Sequence, residues 1–565
     1  MALRSEVRAT MSASTRRALL LGLVLVAVFV LQLASIRPKA LTYDEPMHHF
    51  YAERVLAGDA WRAFRSDNSK MPVSAVNVAF GRLLTHEAVA GPVGRVPLLG
   101  SFLAPFLTDP IKAGRIPTMF VGLLLLVAVY RWSRELYGPA AGVLSLALAA
   151  LSPTLLAHAR LVTTDVWATC AVAWSSYLLW RLVKHGRAVD GMGGALAFGL
   201  GLLAKYSCAF LGFLFPALLA LRYLRGRLGR PTDGGARPPW HAPLLRFAGY
   251  GLVYALFAVV LINAGFRFNG AFAPLDRYEF RSASFAAIQR SLSFASALPL
   301  PLAQPYLDGM DYCTFDEQRG PDCNVYLLGE IRYGNRVERE GDFEGFRAYF
   351  PVAFGVKVPL GTQLLLALAL GVFLLQIRRR QFWNDELFLL GPMAFFAFYF
   401  IFLFTTQLGI RYALVAFPFV WVFIGSLVRE PAAMPLWRRW AVVLLTLWAG
   451  VSTLSYTPHF LSYFNELVLD RKQGWHVLAD SNLDWLQNRP YLEAYAVAHP
   501  DILFNPTEPV AGHIVVDANF LVNVFATGDR TAWLRENFEP EDHIAHAYLV
   551  YRVGEDELRA VLAHP

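Results

Sequence analysis

Long apolar runs alternate with polar segments along the chain of 565 residues. The apolar runs are about 17–22 residues long, the length of a helix that crosses the roughly 30 Å hydrocarbon layer of a membrane. Hydrophobic residues make up 56% of the sequence and charged residues only 17%, whereas soluble proteins contain about 25% charged residues. The pattern predicts a polytopic α-helical membrane protein, and it excludes a single water-soluble globule, a disordered chain and a fibrous repeat.

About eleven transmembrane helices are predicted from the apolar windows. They cover residues 18–36, 116–132, 139–156, 166–183, 191–204, 206–222, 246–264, 357–376, 385–404, 412–428 and 440–456. The two spans between residues 191 and 222 are open to a second interpretation, as one long broken span.

Basic residues orient these spans, because the cytoplasmic loops of membrane proteins are enriched in Lys and Arg. Taken in order, the spans place the basic connections on the same side as the N-terminal residues 1–17, which we therefore expect in the cytoplasm. These connections contain Arg131, Arg134, Lys184, Arg187, Arg222, Arg225, Arg227, Arg230, Arg378, Arg379, Arg380, Arg429, Arg438 and Arg439. The net charge of +8 is then an orientation signal, and no basic surface interleaved with aromatic residues favours a nucleic-acid partner. Residues 225–239 are interpreted as a cytoplasmic linker.

Three large segments fall on the outer side: loops at 37–115 and 265–356, and a tail at 457–565. Apolar and polar residues alternate in the tail at 513–517 and 547–553, which is typical of strands. We therefore predict a transmembrane domain over 1–456 and a small mixed α/β extracytoplasmic domain over 457–565.

Two adjacent carboxylates, Asp44 and Glu45, follow the first predicted span. A carboxylate at a membrane surface is a candidate general base for an incoming hydroxyl or amine. The alternative is structural, because Thr42 and Glu45 have the spacing of a helix capping box. His48 and His49 lie one helical turn beyond Glu45, so a metal site is a third interpretation.

A second acidic residue, Asp165, interrupts an apolar stretch at the outer end of the third predicted span. Ionisable groups at membrane depth usually mark function. Asp165 could instead cap the fourth helix. Arg160 and His158 precede it at the same membrane depth, which favours the functional interpretation.

Three lone cations, Lys205, Lys357 and Arg411, lie at outer membrane boundaries, where positive charge is depleted. Lys and Arg both bind phosphate, Lys as a point charge and Arg as a bidentate fork. The alternative is that these side chains extend to lipid headgroups. Together with the acidic residues, they indicate a reaction on a lipid-linked phosphorylated substrate at the outer surface.

Two of the four cysteines, Cys313 and Cys323, lie in the second outer loop. In an oxidising compartment they are candidates for a disulfide, and the alternative is two reduced, buried thiols. The other two, Cys170 and Cys208, fall in predicted spans and are interpreted as packing residues.

These residues belong to an ordered set of motifs that resembles the bacterial phospholipid-carrier-dependent glycosyltransferases. That family is related to the protein O-mannosyltransferases and the aminoarabinose lipid A transferases, within the C-type membrane glycosyltransferase superfamily. Beyond the Asp44-Glu45 pair and the RLVTTD segment at 160–165, the motifs are YLLGE at 326–330, YFP at 349–351, KVPL at 357–360, RYAL at 411–414, YFNE at 463–466 and DSNLDW at 480–485. One departure is the Leu486-Gln487 pair, where similar chains often have Gly-Gln.

The resemblance implies a C-type fold and an inverting transfer of a hexose, mannose-like sugar. The donor would be a polyprenyl-phosphate carrier, and the acceptor a protein, lipid or glycan on the periplasmic face of a bacterial inner membrane. By this likeness Asp44 is the base, Glu45 stands beside it and Asp165 is the second acid. Arg411, Lys357 and Lys205 would face the carrier phosphate, and the candidate supporting residues are His48, His49, Arg160 and Glu330.

The resemblance leaves the metal question open, because members of the superfamily differ in their use of a divalent ion. A transporter or flippase of lipid-linked sugars is the alternative function. That class would require charged or broken helices at the membrane midplane and often inverted repeats. The sequence contains no recognisable repeat, and its polar residues collect at one face, so the transferase is preferred.

Overall fold

Helices dominate the protein, which we describe from a computed structural model for residues 12–228, 241–334, 342–376, 381–525 and 528–563. Parts of the predicted cytoplasmic segments, at 1–11, 229–240 and 377–380, lie outside the described residues. The first thirteen helices are α1 (Ala13–Ile36), α2 (Asp44–Leu56), α3 (Ser74–Thr85), α4 (Glu87–Gly94), α5 (Leu99–Thr108), α6 (Pro110–Ala113), α7 (Arg115–Tyr137), α8 (Pro139–Ala150), α9 (Pro153–His158), α10 (Asp165–His185), α11 (Ala188–Leu202), α12 (Leu211–Leu228) and α13 (His241–Gly265).

The remaining helices begin within the second outer loop and continue into the tail. They are α14 (Ala283–Ser291), α15 (Gln304–Arg319), α16 (Tyr349–Lys357), α17 (Leu360–Gln376), α18 (Leu387–Phe402), α19 (Phe417–Ile424), α20 (Leu436–Leu454), α21 (Arg489–Ala498), α22 (Ala518–Leu521), α23 (Ala532–Arg535) and α24 (Glu555–Ala563). A two-residue turn in the outer loop joins strands β1 (Val325–Leu327) and β2 (Glu330–Arg332), which pair antiparallel.

Helical structure coincides with each predicted span, and the largely helical class with several apolar helices is confirmed. Five described segments are long and apolar enough to cross a membrane: Thr15–Ile36, Pro110–Tyr137, Tyr206–Arg225, Phe247–Gly265 and Ile410–Val428. A sixth results if α16 and α17, which bend by 112° at their junction, are counted as one span. The total of eleven crossings stays a prediction.

The helix bundle packs around α7, α8, α10 and α19. Trp132 of α7 is fully buried, and its ring meets those of Tyr177 and Phe419 at centroid distances of 5.9 and 5.8 Å. The helices α11 and α13 approach closely where α11 carries glycine. A Cβ at Gly194 would lie 2.2 Å from the hydroxyl of Tyr254, so the small residue is what permits this contact.

The tail contains a four-stranded sheet with the strand order β3-β4-β6-β5. These strands are β3 (Leu503–Phe504), β4 (Gly512–Asp517), β5 (Asp542–Ile544) and β6 (Tyr548–Val553). Strand β3 is parallel to β4, and the other pairs are antiparallel. The alternating segments at 513–517 and 547–553 thus fall on the two central strands. The proposed boundary between domains at residue 457 stays a prediction.

Candidate active site

The carboxylate of Glu45 lies in a fully buried ion pair at the start of α2. It accepts hydrogen bonds from Nε of Arg115 at 2.7 Å and from Nη2 at 2.6 Å, and both side chains are 0% exposed. The backbone N–H groups of Thr42 and Val162 also donate to it, at 2.8 and 3.0 Å. The capping-box spacing therefore has its expected hydrogen bond from Thr42. Glu45 fastens α2 to α7 and to the segment before α10.

The neighbouring residue, Asp44, lies between two cations on other parts of the chain. Its Oδ2 accepts a hydrogen bond from Nη1 of Arg411 at 3.3 Å, and its Oδ1 is 3.5 Å from Nζ of Lys70. Burial alone would raise the pKa of Asp44, but the charges of Lys70 and Arg411 outweigh it and lower the pKa to about 2. Asp44 is therefore ionised, and 18% of its side chain remains exposed.

Asp165, the first residue of α10, pairs with a cation of its own and shares a second one with Asp44. Its Oδ1 accepts a hydrogen bond from Nζ of Lys205, and its Oδ2 is 3.9 Å from Nη1 of Arg411. The Lys205 ammonium also lies 4.5 Å from the ring centre of Tyr412. Arg411 therefore stands between two carboxylates, each of which also contacts a lysine.

The guanidinium of Arg411 is held by an aromatic face. It lies 3.8 Å from the ring centre of Trp485 and 5.1 Å from that of Tyr412. The side chain is 9% exposed, and its Nε has no hydrogen-bond partner. A buried donor without a partner is costly, which makes this nitrogen unusual within the site. We call Asp44, Asp165, Lys70, Lys205 and Arg411 the charged cluster.

Two of the predicted cations are engaged elsewhere. Nζ of Lys357 donates to the carbonyl oxygens of Leu461 and Asn482 at 2.8 and 2.6 Å, and its side chain is buried. Arg160 donates to Oγ of Ser35 at 2.5 Å and to the carbonyl of Pro458 at 3.0 Å. In this structure Lys357 ties α16 to the tail, and Arg160 ties α1 to the tail.

The candidate supporting residues of α2 and the outer loop have different surroundings, and of these His48 lies close to the charged cluster. Nδ1 of His48 is 3.4 Å from Oγ of Ser74, and burial lowers the pKa of His48 to about 3. Nε2 of His49 pairs with Glu53 at 3.4 Å. Glu330 is exposed on β2. Within the described ranges, no group of three or more His, Cys, Asp or Glu side chains is arranged to hold a metal ion.

The predicted disulfide between Cys313 and Cys323 is absent from the structure, which is a correction. The Cys313 thiol donates to the carbonyl of Asn68 at 3.6 Å, and the Cys323 thiol donates to Oδ2 of Asp480 at 3.5 Å. The physical reason is that α15 and the β1 hairpin present the two thiols to different parts of the chain. The alternative interpretation, two reduced and buried thiols, describes Cys323, whereas Cys313 is reduced but only partly buried.

An apolar groove of about 610 Å³ opens between α3, α7, α10, α11 and α13. Among its lining residues are Pro72, Trp167 and Leu203. Each of these is two residues along the chain from Lys70, Asp165 or Lys205, but no residue of the charged cluster lines the groove itself. A second apolar cavity, of about 660 Å³, lies between α10, α11, α12 and α13.

Comparison with known proteins identifies a family for part of the chain. Residues 96–232 match the family described as dolichyl-phosphate-mannose-protein mannosyltransferase. The chain is similar to that family over this segment. The match, which covers less than half of the chain, confirms the resemblance to lipid-carrier-dependent glycosyltransferases and the enzyme class, a glycosyltransferase with a lipid-linked donor. No curated protein matches the chain.

Two solved structures match the chain over most of its length. ArnT from Cupriavidus metallidurans bound to undecaprenyl phosphate is 13% identical, with a TM-score of 0.44 over 95% of this chain and 98% of that one. The apo oligosaccharyltransferase of Archaeoglobus fulgidus is also 13% identical, with a TM-score of 0.41 over 79% of this chain and 56% of that one. This chain thus spans little more than half of the oligosaccharyltransferase. Both TM-scores are too low for the position of a site residue to be transferred.

The part that three residues play in the site was not predicted from the sequence. Lys70 lies within a long outer loop, where a single Lys gives no signal because the positive-inside rule applies to short loops. Arg115 could not be recognised as the partner of Glu45, since 70 residues separate them. Trp485 stood in the DSNLDW motif, but nothing in the sequence indicated that its ring covers Arg411.

Proposed function

We propose that the protein transfers a hexose, mannose-like sugar from a polyprenyl-phosphate carrier to an acceptor on the outer face of the membrane, with inversion at the sugar. The observation that carries this proposal is the charged cluster, in which Asp44 and Asp165 share Arg411 and each contacts a lysine. Such a cluster combines a base with several groups that stabilise a phosphate.

The carrier phosphate would bind to Lys70, Lys205 and Arg411. Arg411 has a buried Nε without a hydrogen-bond partner, and the two lysines contact carboxylates that a phosphate can replace or supplement. The prenyl chain would occupy the apolar groove, which is lined by Pro72, Trp167 and Leu203, each two residues along the chain from a member of the cluster. A phosphate at the cluster and a lipid tail in the groove together describe the donor.

The chemistry follows from the charges. The acceptor hydroxyl gives its proton to Asp44 as its oxygen attacks the anomeric carbon of the sugar. The bond from that carbon to the phosphate oxygen breaks, and its electron pair stays on the carrier phosphate. Lys70, Lys205 and Arg411 stabilise this charge, so the leaving group needs no proton. A single displacement of this kind inverts the anomeric centre.

The low pKa of Asp44 fits this mechanism only if the bound donor changes the surroundings of the carboxylate. At a pKa of about 2 the carboxylate is a weak base. A bound phosphate brings negative charge to Lys70 and Arg411, so they no longer favour the ionised form of Asp44 to the same extent. The basicity of Asp44 then rises when the donor is bound. The position of Asp165 suggests a different role, in which it orients Lys205 and Arg411.

The test is sugar transfer by the Asp44→Asn variant in reconstituted vesicles. The amide keeps the size of the side chain but cannot accept the proton, so transfer is expected to be lost while polyprenyl-phosphate binding is retained. Asp59→Asn is the matched control, because Asp59 lies in the same outer loop and its half-exposed carboxylate contacts Arg54 and the backbone N–H of Trp61, outside the charged cluster. Full transfer by Asp44→Asn would overturn the assignment of the base.

A further inference from the structure

A turn at residues 480–487 connects the tail to both sides of the charged cluster. On one side, the backbone N–H of Tyr43 donates to the carbonyl of Trp485 at 3.1 Å, directly before Asp44. On the other side, the backbone N–H of Ile410 donates to Oδ1 of Asn482 at 3.1 Å, directly before Arg411. The 480–487 turn therefore fixes the backbone on which the two central residues of the cluster stand.

The side chain of Trp485 completes this arrangement. Its ring centre is 3.8 Å from the Arg411 guanidinium, and the ring is buried. The orientation of the residue is fixed, because its backbone N–H donates to Oε1 of Gln487 at 2.7 Å. The face of an indole attracts a cation more strongly than any other aromatic side chain. Trp485 thus attracts the guanidinium of Arg411 and leaves the N–H donors of Arg411 unused.

The tail holds the turn from behind. Oδ1 of Asn519 accepts the N–H of Asp480 at 2.6 Å, and its Nδ2 donates to the carbonyl of Asp484 at 3.1 Å. Asn519 stands at the start of α22, where Asp517 accepts its backbone N–H at 2.7 Å. A continuous series of hydrogen bonds therefore runs from the sheet of the tail through the turn to Trp485.

We propose that Trp485 is a positioning residue that holds the Arg411 guanidinium for the phosphate of the lipid-linked donor, and that the tail supplies it. This inference rests on the proposed function, because it assumes that Arg411 binds the donor phosphate. The Trp485 ring contacts the face of the Arg411 guanidinium and does not use its N–H donors. The contact nevertheless restricts the directions in which these donors point. Loss of the ring releases the guanidinium toward Asp44 and Asp165, which compete with the phosphate.

The experiment is a double-mutant cycle on purified full-length protein, with a fluorescent short-chain polyprenyl phosphate as the probe. Trp485→Leu is expected to weaken probe binding about 2- to 30-fold, the range of a cation–π contact. Trp485→Phe keeps an aromatic face and is expected to recover most of this loss. In the Arg411→Ala background, Trp485→Leu should have no further effect, because it acts through Arg411. Trp475→Leu removes another buried tryptophan of the tail and should leave probe affinity unchanged.

The outcomes separate this inference from the proposed function. If Arg411→Ala binds the probe like the wild type, the proposed phosphate site is wrong. If Arg411→Ala loses binding but Trp485→Leu behaves like Trp475→Leu, the phosphate site stands and the positioning role is overturned. An equal loss from Trp485→Leu in both backgrounds would also overturn it, because Trp485 would then act independently of Arg411. Should Trp485→Leu fail to fold, the same comparison is made with Trp485→Phe. This variant is expected to keep most of the wild-type affinity and an unchanged kcat, and a loss of affinity as large as that of Arg411→Ala would overturn the positioning role.

Discussion

Replacement of Glu45 by Gln separates a structural carboxylate from a catalytic one. In the structure Glu45 receives two hydrogen bonds from Arg115, and neither side chain contacts solvent. Gln keeps the acceptor oxygen for the N–H of Thr42 or Val162, but it leaves the Arg115 charge buried without a counter-charge. Removal of one partner from a buried ion pair costs about 3–5 kcal/mol of folding stability.

The assay is thermal unfolding in detergent, followed by tryptophan fluorescence, together with sugar transfer at a temperature where the variant is folded. We expect Glu45→Gln to unfold at a clearly lower temperature and to retain transfer in its folded fraction. The double variant Glu45→Gln/Arg115→Met should recover part of the stability, because it removes both charges together. A variant with wild-type stability and no transfer would contradict the structural role of Glu45 and indicate a catalytic one.

Three further predictions concern the cluster, the tail and the helix packing. Lys70→Met should weaken polyprenyl-phosphate binding about 10- to 100-fold, the value of a charge-assisted hydrogen bond, and unchanged affinity in equilibrium binding would exclude Lys70 from the phosphate site. Burial and the nearby Asp517 raise the pKa of Asp484 to about 7. The carboxyl group of the folded state therefore keeps a proton at pH values where the unfolded state has lost it. Its contribution to the folding stability is lost as the pH rises toward and through 7. Asp484→Asn should therefore reduce the difference in unfolding temperature between pH 5 and pH 8, and an unchanged difference would contradict the shift. Gly194→Val should destabilise the protein in the same thermal assay, because a Cβ there meets the Tyr254 hydroxyl at 2.2 Å, whereas Gly249→Ala, with open space around its Cβ, should not.

The helices were predictable because membrane-length apolar runs leave few alternatives to helical structure. The site was predictable only in part. Asp44, Asp165, Lys205 and Arg411 were found because charge is scarce at the outer membrane boundary, and the structure brings these four together. Lys357 met the same criterion, yet its ammonium binds two backbone carbonyls. A charge pattern identifies an unusual cation, but it does not say which group that cation contacts.

The contacts that were missed depend on long-range packing. Lys70 and Asp44 belong to one outer loop whose path is set by α2 and α3, and Trp485 reaches Arg411 from the tail. The ambiguity at Glu45 had a similar origin. Its capping-box spacing and its catalytic interpretation were both consistent with the sequence, and only the position of Arg115, at the start of α7, distinguishes them.

The most direct test of the central claim is the identity of the lipid that the purified protein retains. Lipids are extracted from equal amounts of the wild type and of Arg411→Ala, and the polyprenyl phosphate in the two extracts is compared by mass spectrometry. We expect a polyprenyl phosphate, bare or carrying a sugar, on the wild type and its loss from the variant. Equal retention by both proteins, or the presence of ordinary phospholipids alone, would contradict a phosphate site centred on Arg411.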